Sequence, residues 1–154
     1  MRIAKFICYI FLFFSVPSIS FSKDSPRSFR SGQNRCAYCM MGISDMRFRS
    51  EAKTKKGKYF FFDSIECLSQ WSKKNKKTLK VSWVGDFFKK NKWVKFKDAF
   101  FLHSKHLHSP MGAGLSAYKT KKSLIKAKKM YKGTELNKKQ LLTHIKKWKK
   151  RFNK

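Results

Sequence analysis

Two short segments of this chain bring together cysteine and methionine, the residues that carry soft sulfur donors. The first is Cys36-Ala37-Tyr38-Cys39-Met40-Met41, and the second is Ser109-Pro110-Met111-Gly112-Ala113-Gly114. Thiolate and thioether sulfur together favour Cu(I), whereas zinc prefers thiolate, imidazole or carboxylate, and calcium and magnesium prefer oxygen. The donor types therefore indicate a site for a soft metal ion before any fold is considered.

A Cys-x-x-Cys pair is compatible with two further kinds of chemistry. One is thiol–disulfide exchange by Cys36 and Cys39, although that motif normally opens a helix after a strand and here follows a polar segment. The other is a zinc site, which needs two more ligands, and Cys67 with one nearby histidine could supply them. Cys67 lies on the apolar face of a predicted helix, where a buried packing role is favoured, and Met40 is likewise expected to pack. The candidate histidines precede Met111 in the chain and are His103, His106 and His108.

The amino terminus predicts export. Arg2 and Lys5 precede the apolar run Phe6–Val16, and small residues follow at Ser20-Phe21-Ser22. The run is about 11 residues long, well short of the roughly 20 needed to span a bilayer, so a signal peptide over residues 1–22 is favoured over an uncleaved anchor. Cys8 lies inside the run without the small preceding residue that lipid attachment requires. Residues 23–34 are predicted to form a flexible leader.

The charge of the chain restricts its partners. Lys and Arg total 38 against 8 Asp and Glu, a formal net charge of +30. Export and the dispersal of the lysines argue against nucleic acid as a partner. A solvated basic surface is the simpler interpretation, and attraction to an anionic membrane surface is the alternative. The sequence contains no phosphate-binding loop, nucleophile elbow or paired catalytic acids, so an enzyme other than a thiol–disulfide oxidoreductase is not predicted.

Two similar units of strands and helices are predicted from the hydrophobic patterns. The first unit comprises Met46–Lys53, Tyr59–Phe62, a helix starting near Asp63-Ser64, and Leu79–Val84, and the second comprises Ala99–His103, Leu115–Tyr118, Thr120–Tyr131 and Thr134–Leu136. We predict an α+β fold in which two small strand–strand–helix–strand lobes, at about 35–90 and 91–154, form one compact unit with a C-terminal amphipathic helix over Leu136–Phe152. The alignment of the two units places the Met111 loop opposite the turn at Lys55-Lys56-Gly57.

Five ordered motifs in the chain resemble those of the NosL family, which comprises Cu(I)-binding accessory proteins of nitrous-oxide reductase maturation. The resemblance spans roughly Arg35 to Tyr118 and continues more weakly to about Leu142. The motifs are Cys36-x-x-Cys39-x-Met41-x-Ile43-Ser44-Asp45, Phe62-Asp63-Ser64-Ile65-Glu66-Cys67-Leu68, Trp83-Val84-x-Asp86, Trp93-Val94-x-x-x-x-Asp98-Ala99 and Pro110-Met111-Gly112-x-Gly114-Leu115-x-Ala117-Tyr118.

The resemblance implies a two-lobed α+β fold and a carrier that holds Cu(I) on the outer, periplasmic side of the cytoplasmic membrane. The implied partner is apo-nitrous-oxide reductase, reached with its membrane maturation complex, or another exported cuproprotein. Carried over to this chain, Cys39, Met41 and Met111 are the expected copper ligands, and Cys36 is the next candidate. The chain departs from the family at Met40, where members often have glycine, and in Cys8, because members are commonly lipoproteins.

Overall fold

A computed structural model describes residues 24–152, and the predicted signal segment 1–22 lies outside this range. The structure contains seven strands, three helices and a short 3-10 turn at Phe96–Asp98. The strands are β1 (Ser50–Thr54), β2 (Tyr59–Phe62), β3 (Leu79–Asp86), β4 (Lys89–Lys95), β5 (Phe100–His103), β6 (Leu115–Tyr118) and β7 (Thr134–Leu136). The helices are α1 (Ile65–Lys74), α2 (Lys121–Met130) and α3 (Lys138–Phe152).

The first lobe is an antiparallel sheet with the strand order β2-β1-β3-β4 and α1 inserted between β2 and β3. A turn at Gly57, whose φ of +82° suits glycine, connects β1 to β2, and Ser50 pairs with Phe62. Ser64 caps α1 because its hydroxyl accepts a hydrogen bond from the backbone N–H of Cys67 at 3.2 Å. The apolar face of this helix, which includes Leu68 and Trp71, packs into the core.

The second lobe repeats this arrangement with the strand order β6-β5-β7 and α2 between β6 and β7. Thr120 caps α2 as Ser64 caps α1, since its hydroxyl accepts the backbone N–H of Ser123 at 3.1 Å. The predicted α+β class and the strand–strand–helix–strand repeat are therefore confirmed. The strand β4 was not predicted, because its first half is Lys89-Lys90-Asn91-Lys92, an exposed edge without apolar alternation.

The two lobes share a continuous core and direct hydrogen bonds. Asp86 at the end of β3 accepts the backbone N–H of Lys119, which follows β6, at 3.1 Å. The backbone N–H of Phe87 donates to the carbonyl oxygen of Ala117 at 2.9 Å. One cluster of buried residues includes Phe62 from the first lobe and Phe101 from the second. The compact unit that the sequence predicted is thus held together by backbone pairing as well as by apolar contact.

The segments at both ends of the described chain pack against the lobes. Phe29, in the segment predicted to be a flexible leader, is 7% exposed within the core cluster. The helix α3 buries Leu141, Ile145 and Trp148 against the same core, which is the docking expected of an amphipathic terminal helix. Within residues 24–152, no helix is both long enough and apolar enough to cross a membrane.

Candidate metal centre

The segment Cys36–Met41 forms a tight loop that is held by backbone hydrogen bonds. The N–H of Cys36 donates to the carbonyl oxygen of Met41 at 2.8 Å, and the N–H of Met40 donates to the carbonyl oxygen of Cys36 at 2.9 Å. A third bond, from the N–H of Ala37 to the carbonyl oxygen of Phe61 at 2.8 Å, attaches the loop to β2. These bonds place both cysteines of the loop at the point where β2 leads into α1.

The junction between β2 and α1 supplies two further donor groups. Asp63 immediately follows β2 and is 2% exposed, and Cys67 lies in the first turn of α1 and is fully buried. The thiol of Cys39 donates to Asp63 Oδ2 at 3.4 Å, while Asp63 Oδ1 is buried without a hydrogen-bond partner in the described structure. A buried carboxylate oxygen left without a donor is costly unless a cation or water meets it.

Four side chains therefore converge on one small volume. The ligand atoms of Cys36, Cys39, Cys67 and Asp63 all lie within 4.8 Å of one another. Cys36 and Cys67 are buried, Cys39 is half-exposed, and all three are free thiols. One ion at the centre of such a group would be reached from solvent on the Cys39 side and shielded on the other sides.

The three thiols differ in how readily they ionise. The pKa of Cys36 is lowered to about 6, chiefly because the Cys67 thiol donates a hydrogen bond to its sulfur. Backbone N–H donors around the Cys36 sulfur contribute to this lowering, whereas burial opposes it. The same hydrogen bond, together with burial, raises the pKa of Cys67. Burial raises the pKa of Cys39 to about 12, with contributions from neighbouring Cys36 and Asp63. Of the three thiols, Cys36 is therefore the one that most readily forms the thiolate that a metal ion binds.

Met40 and Met41 project from the cysteine loop into solvent. Their side chains are 61% and 51% exposed. The expectation that Met40 packs is therefore wrong. Its backbone adopts a φ of +65°, a left-handed conformation in which the side chain is directed away from the core. Glycine would reach this positive φ without strain.

Met111 lies in a loop that is fixed against both α1 and α3. Glu66, the residue before Cys67, accepts hydrogen bonds from the Ser109 hydroxyl at 3.1 Å and from the N–H of Ala113 at 3.4 Å. The indole N–H of Trp148 donates to the carbonyl oxygen of Met111 at 2.9 Å. Met111 is partly buried and packs against the core cluster that contains the buried cysteines.

The loop around Met111 closes tightly at Gly114. This residue has a φ of +64°, and a Cβ built on it would lie 2.3 Å from the carbonyl oxygen of Ser104. Only glycine fits that approach, so close backbone contact also fixes the shape of this loop.

The histidines do not join the cysteine group. His106 and His108 are exposed. The ring of His103 stacks on His144 of α3 with a centroid distance of 4.1 Å, and His144 Nε2 lies 3.0 Å from the carbonyl oxygen of Ala113. Burial, with the neighbouring His144, lowers the pKa of His103. The two rings support the base of the Met111 loop.

The structure brings together two of the four predicted ligands, Cys36 and Cys39, and adds Asp63 and Cys67 to them. Met41 and Met111 stay predictions, one in the same loop and the other against the same core. Sequence reasoning assigned Cys67 to packing because of its apolar helix face. The helix cap was the signal that could have identified Cys67 as a site residue. Cys67 lies three residues after the capping Ser64 and therefore at the N-terminus of α1, where β2 and the cysteine loop meet.

These features define the class of protein: a two-sheet α+β protein with a mostly buried three-thiol and one-carboxylate group suited to a metal ion. The model of the NosL family matches residues 28–144, and the chain belongs to the NosL family. A search of curated proteins found no match. A solved structure, the copper chaperone NosL from Shewanella denitrificans, shares the fold with a TM-score of 0.66 at 17% sequence identity, over 77% of this chain and 96% of that one.

Proposed function

We propose that this protein is an exported Cu(I) metallochaperone that delivers copper to an exported cuproprotein. Apo-nitrous-oxide reductase, with its membrane maturation complex, is the acceptor we favour. Membership of the NosL family and the fold shared with a copper chaperone support this proposal. The observation that carries it is the convergence of three cysteine sulfurs within 4.8 Å.

The arrangement of the cluster suits a carrier. Thiolates bind Cu(I) tightly, and Cu(I) is satisfied by two or three sulfur ligands. Cys36, whose pKa is lowered, and buried Cys67 would hold the inner side of the ion, while half-exposed Cys39 would face an incoming partner. An acceptor sulfur can then replace Cys39 without release of free copper. Delivery would proceed by ligand exchange.

The methionines complete the proposed site on its outer side. Met41 is exposed next to Cys39, and Met111 approaches the core from the second lobe. Thioethers are neutral and weaker ligands than thiolates, so they would guide and release copper while the thiolates supply affinity. The site would bridge the cysteine loop and the Met111 loop.

The location we propose is the periplasmic side of the cytoplasmic membrane. The N-terminal pattern supports export, and the net charge of +30 supports peripheral contact with an anionic membrane surface. The proposed role involves no catalytic turnover. Gel filtration of the periplasmic fraction from cells that express the whole chain, with immunodetection, tests this location.

The test is an anaerobic titration of the metal-free protein with Cu(I) against a chromophoric chelator. We expect one tightly bound Cu(I) per chain. Loss of a direct ligand should weaken binding by at least the roughly 10–100-fold seen for weaker, outer-shell changes, so Cys36→Ser and Cys67→Ser should each cost more than this. Met41→Leu and Met111→Leu should weaken retention less, while Met130→Leu, on α2 and 56% exposed, is the matched control.

Undiminished copper binding in both Cys36→Ser and Cys67→Ser would contradict the thiolate site. Disulfide reductase activity without copper retention would favour the thiol–disulfide alternative for Cys36 and Cys39. If Met41→Leu and Met111→Leu match the Met130→Leu control, the site is made by the cysteines alone.

Structural zinc binding is the second candidate, and Asp63 is the observation that favours it. Three thiolates and one carboxylate can form a tetrahedral zinc site. Asp63→Asn separates the two candidates, since it replaces a carboxylate, which zinc accepts as a ligand, with a neutral amide, and Cu(I) needs neither. We expect the variant to retain Cu(I) binding. If the parent protein is instead purified with bound zinc and the Asp63→Asn variant is purified without it, the zinc site is supported.

A further inference from the structure

A groove lies between α1, α3 and β3, and its lining includes Leu79 and Ser82 of β3. Its cavity volume is about 940 Å³. The floor is apolar and includes Leu68, Leu79, Phe96 and Ile145, with Leu142 of α3 at the edge. Leu142 is 54% exposed, so an apolar side chain at this edge faces solvent.

The rim of this groove carries a concentrated positive charge. Six of its fifteen lining residues are lysines, and none is acidic. Three come from the C-terminal part of α1 and the turn after it, and three come from α3. They are Lys73, Lys74, Lys76, Lys146, Lys149 and Lys150. Among the described residues, the ion pairs of the chain involve none of these six lysines.

An apolar floor between two rows of uncompensated lysines defines the chemistry of what would fill it. The occupant must present an apolar stripe flanked by several negative charges. We propose that this lysine-rimmed groove is a docking site for an acidic amphipathic helix of a partner protein. Such a helix lays its apolar face into a groove and places acidic side chains along both rims.

The observations favour this occupant over three others. A second copy of this chain is disfavoured by the repulsion between molecules of net charge +30. A flat bilayer surface does not reach the recessed floor, where Leu68 and Ile145 are 1% and 2% exposed. A single lipid headgroup carries too few charges to engage six lysines on opposite rims. The ten residues of α1 form a wall of about 15 Å, along which a helix of about ten residues could lie.

The groove adjoins the cysteine loop. Lys74 Nζ lies 5.9 Å from the ring centroid of Tyr38, the residue between Cys36 and Cys39. A helix docked along α1 would therefore hold its parent protein next to the half-exposed Cys39. Identifying this parent protein as the copper acceptor rests on the proposed function. The docking of an acidic helix in the groove does not rest on it.

The test uses a fluorescein-labelled synthetic helix that carries leucines on one face and glutamates along both flanks. Its binding to the purified metal-free protein is followed by fluorescence anisotropy. Lys146→Glu combined with Lys150→Glu reverses one rim, and Lys122→Glu combined with Lys126→Glu on α2 is the control with the same spacing and the same change in net charge. We expect the rim variant to raise Kd by about tenfold or more, with the control within about twofold of the parent.

A second pair of variants tests the apolar part of the groove. Leu142→Glu should weaken peptide binding, whereas Ile125→Glu on α2, at a residue 47% exposed, should not. Both positions are exposed, so circular dichroism should show that the fold is kept. A peptide whose leucines are replaced by serine should bind at least about tenfold more weakly to the parent protein.

Equal losses in the rim and α2 variants would overturn the proposal, since they would indicate attraction to the whole basic surface. Equal binding of the leucine and serine peptides would do the same. Groove-dependent binding to vesicles of three parts phosphatidylcholine and one part phosphatidylglycerol, without peptide binding, would assign the groove to the membrane and also overturn it. Cu(I) titration of the same variants is expected to be unchanged, so failure of docking is distinguished from failure of copper binding.

Discussion

The charge of the cysteine cluster can be tested by removing one hydrogen bond. The Cys67 thiol is the largest contributor to the lowered pKa of Cys36, which is about 6 against an ordinary 9.0. Cys67→Ala removes this donor and leaves the backbone donors in place. Burial then opposes ionisation with less compensation, so we expect the pKa of Cys36 to rise toward its ordinary 9.0.

The expected change in charge is large at neutral pH. With the pKa of Cys36 at about 6, about 90% of this thiol is ionised at about pH 7. A pKa closer to the ordinary 9.0 leaves most of this thiol protonated at the same pH. The thiolate absorbance of the metal-free, anaerobic protein, followed from about pH 4 to 10, reports the change directly.

Three variants make the assignment unambiguous. Cys36→Ser should abolish the titration step near neutral pH. Cys39→Ser should leave it, because the pKa of Cys39 is raised to about 12. Cys67→Ser retains a hydroxyl donor and should shift the step less than Cys67→Ala. An unchanged midpoint in Cys67→Ala, or loss of the step in Cys39→Ser, would refute the account of how the thiols share charge.

Three further predictions concern backbone geometry and buried charge. Met40→Gly relieves the strain of a positive φ, whereas Met41→Gly relieves none. Chemical denaturation should therefore show that Met40→Gly is more stable than Met41→Gly by about 1–2 kcal/mol. Equal stabilities of the two variants would contradict backbone strain at Met40. Both Gly112 and Gly114 have a positive φ, but a Cβ at Gly112 would meet no neighbouring atom. Gly114→Ala should therefore reduce the free energy of unfolding several-fold more than Gly112→Ala does. Similar losses in the two variants would show that the loop relaxes around the added Cβ. Burial raises the pKa of the Glu51 carboxyl from 4.5 to about 7, so the folded state stays protonated to a higher pH than the unfolded chain. The free energy of unfolding therefore falls as the pH rises from 4.5 to about 7. Glu51→Gln should flatten this part of the stability profile measured by denaturant titration, and an unaltered slope would assign it to other groups.

The local elements of the fold followed from sequence patterns because each depends on neighbours in the chain. Tyr59–Phe62 and Thr134–Leu136 were predicted with the bounds that the structure has. The first strand was predicted from Met46 but begins at Ser50, since the residues before it form turns around Asp45. The edge strand β4 was missed because its pairing with β3, rather than its own composition, makes it a strand.

The site was only partly predictable for the same reason. Cys36 and Cys39 are linked by a recognisable spacing, whereas Cys67 joins them through the packing of α1 on the cysteine loop. A buried cysteine on an apolar helix face looks alike in sequence whether it packs or binds. The exposure of Met40 goes with its positive φ, and a positive φ is not expected from sequence for a residue other than glycine.

The sequence by itself determined the soft-donor chemistry, the repeated strand–strand–helix–strand pattern and the strong positive charge, because residue type and spacing along the chain are sufficient for these. The tertiary structure alone decided that Cys67 and Asp63 stand beside the cysteine loop and that the hydrogen bond from Cys67 lowers the pKa of Cys36. It also decided that lysines from α1 and α3, far apart in the chain, form two rims of one groove. Hydrogen bonding, burial and local charge density depend on distances in space, which separation along the chain does not specify.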